Sequence, residues 1–192
     1  MPFIDEATGD VVFRITYQGA NFSGRWSSLD YIWKKTPPDR RTPVLVQNVA
    51  QWAAMRAFTL WPTTLPPWQG RRLRFDMSTY YGNSIVQTHE AELIHQADAV
   101  VWVVDSMVER LDANIWRRQW LAEAGVRFGD TPLVLQHNKR DLPHIVELDG
   151  LNRQLNPEGF PSFETVAITG YGIFDALKAV VKQMLVRTEA LP

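Results

Sequence analysis

Residues 98–105 read DAVVWVVD, six consecutive apolar side chains held between two aspartates. A strand with one wet face alternates polar and apolar residues, whereas an unbroken run of this kind is buried on both faces, as in a parallel sheet covered by helices on each side. The chain around it supplies the rest of such a sheet. Val11 to Tyr17 alternates and is rich in β-formers, and the runs TPLVLQH (131–137) and FETVAI (163–168) read as further buried strands. Phe58 to Leu65 and Arg71 to Ser78 are strand-like and joined by PPWQG, a turn-rich link that predicts an antiparallel pair. Helical patterns fall between the strands: a segment ending near Lys35, residues 86–97, Glu109 to Ala124, Leu148 to Leu155, and Ile173 to Arg187. Right-handed crossovers then give an α/β fold with a mainly parallel six-stranded sheet, one antiparallel hairpin strand and helices on both faces.

A chain of 192 residues with 45% hydrophobic and 21% charged side chains has the make-up of a globular protein, and no linker-like stretch divides it, so residues 1–192 are expected to form one domain. The formal net charge of -1 gives no general attraction to nucleic acid. Arginine pairs at 40–41, 71–72 and 117–118 are scattered and read as solvated faces. The absence of cysteine excludes disulfides, thiolate metal sites and cysteine nucleophiles. Neither a signal peptide nor a transmembrane segment is expected, because the start MPFIDEATGD lacks the required pattern and the apolar run 99–104 is far shorter than the roughly 20 residues a spanning helix needs. A cytoplasmic protein is the expectation.

Ligands of open α/β sheets bind at the carboxyl ends of the strands, where four loops of this chain converge: GANFSGRWS, TYYGN, HNKRD and ITGYG. The first keeps the frame of a phosphate-binding loop, with Gly19 and Gly24 bracketing four residues before a cation. That cation is Arg25 where the loop has lysine, and Trp26 stands where a small hydroxyl residue holds magnesium. The run from Asn138 to Asp141, NKRD, fits the N-K-x-D guanine-recognition motif of Ras-like GTPases. Its chemistry is specific: the Asp141 carboxylate can accept both the ring N–H and the exocyclic amine of guanine, an arrangement adenine does not offer. Lys139 can lay its stem along base and ribose, and Asn138 can tie this loop to the phosphate loop. Thr169 and Gly170 occupy the place of a second base-contacting loop. Gly82 stands where a γ-phosphate-sensing glycine belongs, with Asn83 in place of a water-orienting glutamine.

Together these segments resemble the MglA family, bacterial Ras-like GTPases that govern cell polarity, gliding and type IV pilus motility. The resemblance runs from FRITYQG and LDYIW through VVDSMVERLDAN and QHNKRDLP to ITGYGIFDALKAV, and is poorest between Thr36 and Gln69. It implies a Ras-like P-loop fold, guanine-nucleotide binding and a protein partner such as a roadblock-type dimer like MglB or another polarity regulator. The departures gather at the phosphates. Counting back from Gly82 without gaps, the family's magnesium-binding switch threonine falls at Met55 and its arginine finger at Ala54. Thr79 is normal for the family. A guanidinium cannot replace a compact ammonium tucked under the loop, and an indole offers no oxygen to a hard cation. The reading is therefore a pseudo-GTPase: no catalytic residue, a nucleotide site vestigial or limited to GDP or GTP without magnesium, and Trp26 blocking the phosphate site. The alternative is an unconventional GTPase completed by a partner.

Other chemistry finds little support. His89 and His95 are six residues apart and fall on different helix faces, so no metal site is expected. Ser23 has no base in sight and no nucleophile elbow is present. Eight tryptophans is a high count; Trp52, Trp61 and Trp68 lie in the switch and hairpin region and read either as core or as a partner-binding face.

Overall fold

The computed structural model describes residues 1–50, 53–82 and 87–189. In chain order its elements are β1 (Phe3–Ile4), β2 (Val11–Gln18), α1 (Arg25–Lys35), β3 (Leu45–Ala50), β4 (Ala53–Leu60), β5 (Leu73–Tyr81), α2 (Gln87–Gln96), β6 (Ala99–Asp105), α3 (Leu111–Glu123), β7 (Leu133–Asn138), α4 (Leu148–Leu155), β8 (Ser162–Glu164) and α5 (Ile173–Glu189).

The strands form one sheet in the order β3-β4-β5-β2-β6-β7-β8, with β1 pairing antiparallel to the start of β2. From β5 through β8 all neighbours are parallel, while β3–β4 and β4–β5 are antiparallel. This is the expected α/β layout, in a sheet wider than six strands by β1 and β3. Both additions carry weak local signals: β1 has two residues, and β3 is an edge strand with a polar centre and exposed Leu45 and Val46. The hairpin strand also lies earlier than Phe58 to Leu65, at Ala53–Leu60, with a longer connection to β5.

All seven residues of β6 are buried, and their alternation divides the core in two. Val101 and Val103 join Phe13, Ile15 and Tyr17 of β2 beneath α1 and α5. Val100, Trp102 and Val104 face the other way, against Leu121 of α3, Leu151 and Leu155 of α4 and Ile94 of α2. A strand whose two faces are both dry has to be apolar at every position, which is why its sequence does not alternate. Helix α1 stops where Thr36 caps it, its N–H donating to Ile32 O at 3.0 Å, ahead of two prolines that cannot continue it. No helix among the described residues is long and apolar enough to cross a membrane.

Candidate functional site

The loop between β2 and α1 is shaped by its glycines. Gly24, the N-cap of α1, has φ 101°, and a Cβ there would lie 2.1 Å from Asn138 Nδ2. At Gly19, with φ 156°, a Cβ would meet Val103 O at 2.2 Å. Neither position admits a side chain. The loop ends at the N-terminus of α1, whose first N–H groups lack partners within the helix and carry the positive end of its dipole, a cradle suited to an anion. Two non-glycine residues here adopt left-handed backbone, Phe22 at 66° and Lys139 at 67°, strain of the sort that gathers at functional loops.

Asn138 joins three loops. Its Nδ2 donates to Ser23 O at 2.8 Å in the phosphate-loop frame, and its Oδ1 accepts from Ala167 N at 2.9 Å and from Thr165 Oγ1 at 3.3 Å. Lys139 places Nζ 2.7 Å from Oδ2 of the buried Asp105 at the end of β6. Asp141 is exposed and, among the described residues, its carboxylate is in no hydrogen bond or ion pair, so both oxygens are open for a bidentate donor such as guanine. Beside it, Gly170 has φ 88° and lies directly on the ring of Tyr31, leaving no room for a Cβ, while Thr169 Oγ1 is 3.2 Å from Val166 O.

The Arg25 side chain lies between the phosphate loop and α2. The residue is 6% exposed, and its guanidinium is held by Glu90 of α2, Nη1 to Oε1 at 2.8 Å, and by Asn21 Oδ1, 3.1 Å from Nη2. Glu90 is shared with Arg117 of α3, whose Nη1 reaches Oε2 at 3.0 Å and whose Nη2 contacts Oε1. Nη2 of Arg117 also donates to Gln18 Oε1 at 2.7 Å. Burial lowers the Arg25 pKa to about 10, with attraction by Glu90 opposing and repulsion by Arg117 adding to the fall. It stays charged at neutral pH. Asn21 closes the same space from the loop side: its Nδ2 donates to Gly82 O at 3.0 Å, and Arg110 Nη2 donates to Asn21 O at 2.6 Å.

Trp26 is half-buried against the α1/α5 core, with the Arg56 guanidinium 4.6 Å from its ring centre and 5.3 Å from that of Tyr81. Nε of Arg56 has no partner among the described residues. Ala54 is fully buried in β4, and Met55 packs with Tyr80 and Leu93. Thr79 Oγ1 is engaged with Tyr17 O at 2.8 Å. At the two positions that the family resemblance assigns to magnesium, Trp26 and Met55 carry an indole and a thioether, which offer a hard cation no oxygen and do not fit that ion. Among the described residues no cluster of three metal-binding side chains occurs, and His89 stacks instead on Tyr80.

Several residues of this region have no signature in the sequence: Gln18, Asn21, Arg56, Glu90, Asp105, Arg110 and Arg117. Arg117 corrects the reading of residues 117–118 as a solvated face, since it is 4% exposed and stacked 4.1 Å from the Trp120 ring centre. Its placement in the seventh residue of α3, on the sheet side, was the available signal. The tryptophans divide. Trp61 donates Nε1 to Asp10 Oδ2 at 2.9 Å, and Trp68 packs edge-on to Phe13 with ring centres 6.3 Å apart; both are half-buried. Trp52 and Asn83 lie outside the described residues.

No family model matches the chain. It is 33% identical over 189 residues to the mutual gliding-motility protein MglA of Myxococcus xanthus (strain DK1622), an alignment covering 96% of each protein. With a P-loop frame, a guanine-recognition run and a mainly parallel sheet in agreement from end to end, the chain belongs to the MglA family of Ras-like small GTPases.

Proposed function

We propose that this protein is an MglA-like pseudo-GTPase, a protein-binding regulator of gliding motility or polarity that does not hydrolyse GTP. The observation that carries the reading is the engagement of Arg25 by Glu90 and Asn21, which hold its guanidinium in contacts within the protein. Phosphoryl transfer depends on positioning and on neutralising charge, and the loop cation is one of its main instruments. Trp26 and Met55 in place of magnesium-binding oxygens support the same conclusion.

Guanine nucleotide without magnesium is compatible with this arrangement. Among the described residues Arg25 and Arg117 share Glu90, Lys139 and Arg110 share Asp105, and Arg56 stands beside Trp26, so the strand ends carry surplus positive charge in a protein whose formal net charge is -1. That surplus can stand in for a divalent cation against a polyphosphate. The partner, by likeness to the family a roadblock-type dimer such as MglB, would meet the β3–β4 hairpin, whose edge strand has an unpaired side and exposed Leu45 and Val46. Trp61 and Trp68 are candidates at its base.

The test is to denature the purified protein, identify released nucleotide by chromatography, and titrate the stripped form with labelled GDP and GTP with and without magnesium. No turnover, with binding absent or independent of magnesium, is the expected result. Magnesium-dependent binding with turnover would overturn it. Arg56 favours a second reading, a slow GTPase completed in trans, because it brings a cation with an unpartnered nitrogen beside Trp26. GTP turnover that arises only when the partner is added would establish that reading.

A further inference from the structure

Toward the end of the sheet opposite the phosphate loop, the last turn of α1, the face of α5 from Phe174 to Val186 and the chain leaving β4 line a cleft of about 640 Å³. This lies within the range of about 300–1,000 Å³ typical of small-molecule sites. Ile32, Leu60, Phe75, Leu177 and Val181 make its floor, and each is less than 9% exposed. Three lysines stand on its walls, Lys35 on α1 and Lys178 and Lys182 one helical turn apart on α5. Among the described residues no carboxylate lines the cleft, and none of the three lysines is in a salt bridge. Lys35 Nζ lies 5.6 Å from the Tyr31 ring centre.

We propose that this cleft binds the chain of a single-tailed anionic amphiphile, a long-chain carboxylate, with the alkyl tail on the apolar floor and the head group among the three lysines. The shape selects the tail. A cleft of about 640 Å³ has the volume of a small-molecule site and not that of a groove for a helix about 10–12 Å across, and its apolar floor suits an alkyl chain. The charge selects the head, since three ammonium groups without acidic neighbours favour an anion and disfavour an alkylammonium of the same length. Lysines on flexible stems also suit a carboxylate whose depth varies with chain length. The proposal is independent of whether the phosphate end binds nucleotide.

The test uses the full chain and cis-parinaric acid, a fluorescent long-chain carboxylate, below its micellar concentration. Saturable binding at one site is expected, with energy transfer from protein tryptophan, since Trp61 lines the cleft. Palmitate should displace the probe, while methyl palmitate and hexadecylammonium should compete at least tenfold more weakly. Reversing the three wall charges (K35E, K178E, K182E) should weaken binding about tenfold or more, and Lys34→Glu, outside the cleft, should not. Circular dichroism of each variant checks the fold, and the competition series needs no variant. Equal competition by the ammonium or ester overturns the proposal. So does binding untouched by the triple reversal, binding to anionic vesicles alone, or an acidic amphipathic peptide that occupies the cleft where parinarate does not.

Discussion

Glu90 holds two guanidinium groups in a place closed to water, and the three side chains are not equivalent. Removing Glu90 leaves Arg25 and Arg117 buried and facing each other, so Glu90→Ala should lower stability by about 3–5 kcal/mol. Removing Arg25 leaves Glu90 paired with Arg117, which keeps Gln18 as well, so Arg25→Met should cost about 1 kcal/mol or less. Urea unfolding of the two variants, compared with wild type, checks the ordering. His137 tests the same ledger of burial against charge by titration. Burial lowers its imidazole below the usual 6.5; the Asn152 contact and Glu164 oppose this, and Arg140 adds to it. The folded state thus holds the ring neutral. Below pH 6.5 the unfolded chain takes up a proton that the folded chain refuses, so stability falls with pH from there down to the folded pKa. Melting temperatures between about pH 7.5 and about pH 5 should show that slope, and His137→Gln should flatten it.

At the scale of elements, the site is a meeting of loops fastened to strand ends. Asn138 is the fastening. Asn138→Ala would leave Ser23 O and Ala167 N buried without their partners, at about 1–3 kcal/mol each, so a total loss of about 2–6 kcal/mol is expected by chemical denaturation. The elements themselves were largely legible. Helix α4 spans Leu148–Leu155 as its pattern indicates, and α1, α3 and α5 end within a few residues of their expected bounds. Periodicity and proline act locally, and local signals survive in sequence. The hairpin strand was shifted because AAMRAFTL is poor in β-formers and is held as a strand by its ladder with β5, a pairing that no window of sequence contains. The same holds within the site. The glycine frame with Arg25, the NKRD run and Thr169-Gly170 are contiguous motifs, whereas Gln18, Glu90 and Arg117 come from three elements and have only an ordinary polar pattern until the sheet brings them together.

Across the whole molecule, the two candidate binding sites lie toward opposite ends of the sheet. Surplus cations crowd the carboxyl ends of the parallel strands, while the cleft floored by Leu60 and Phe75 lies at the other end. Helix α1 touches both, from Arg25 at its start to Lys35 at its end, as does β4 from Arg56 to Leu60. If protein cations replace a metal ion, affinity for GDP in the stripped protein should change by no more than about twofold on adding a chelator. It should nevertheless fall as salt is raised, because the attraction is among charges near the surface. Calorimetric titration at two salt concentrations, with and without chelator, reads both effects.

The unequal sharing of Glu90 also bears on descent. Because Arg117 satisfies that carboxylate alone, position 25 can pass between arginine, lysine and a neutral residue across generations without a compensating change elsewhere. Positions 90 and 117 have no such freedom. In an alignment of relatives, those two should change together while position 25 drifts beside them, and the route back to a lysine-bearing loop stays a single step long.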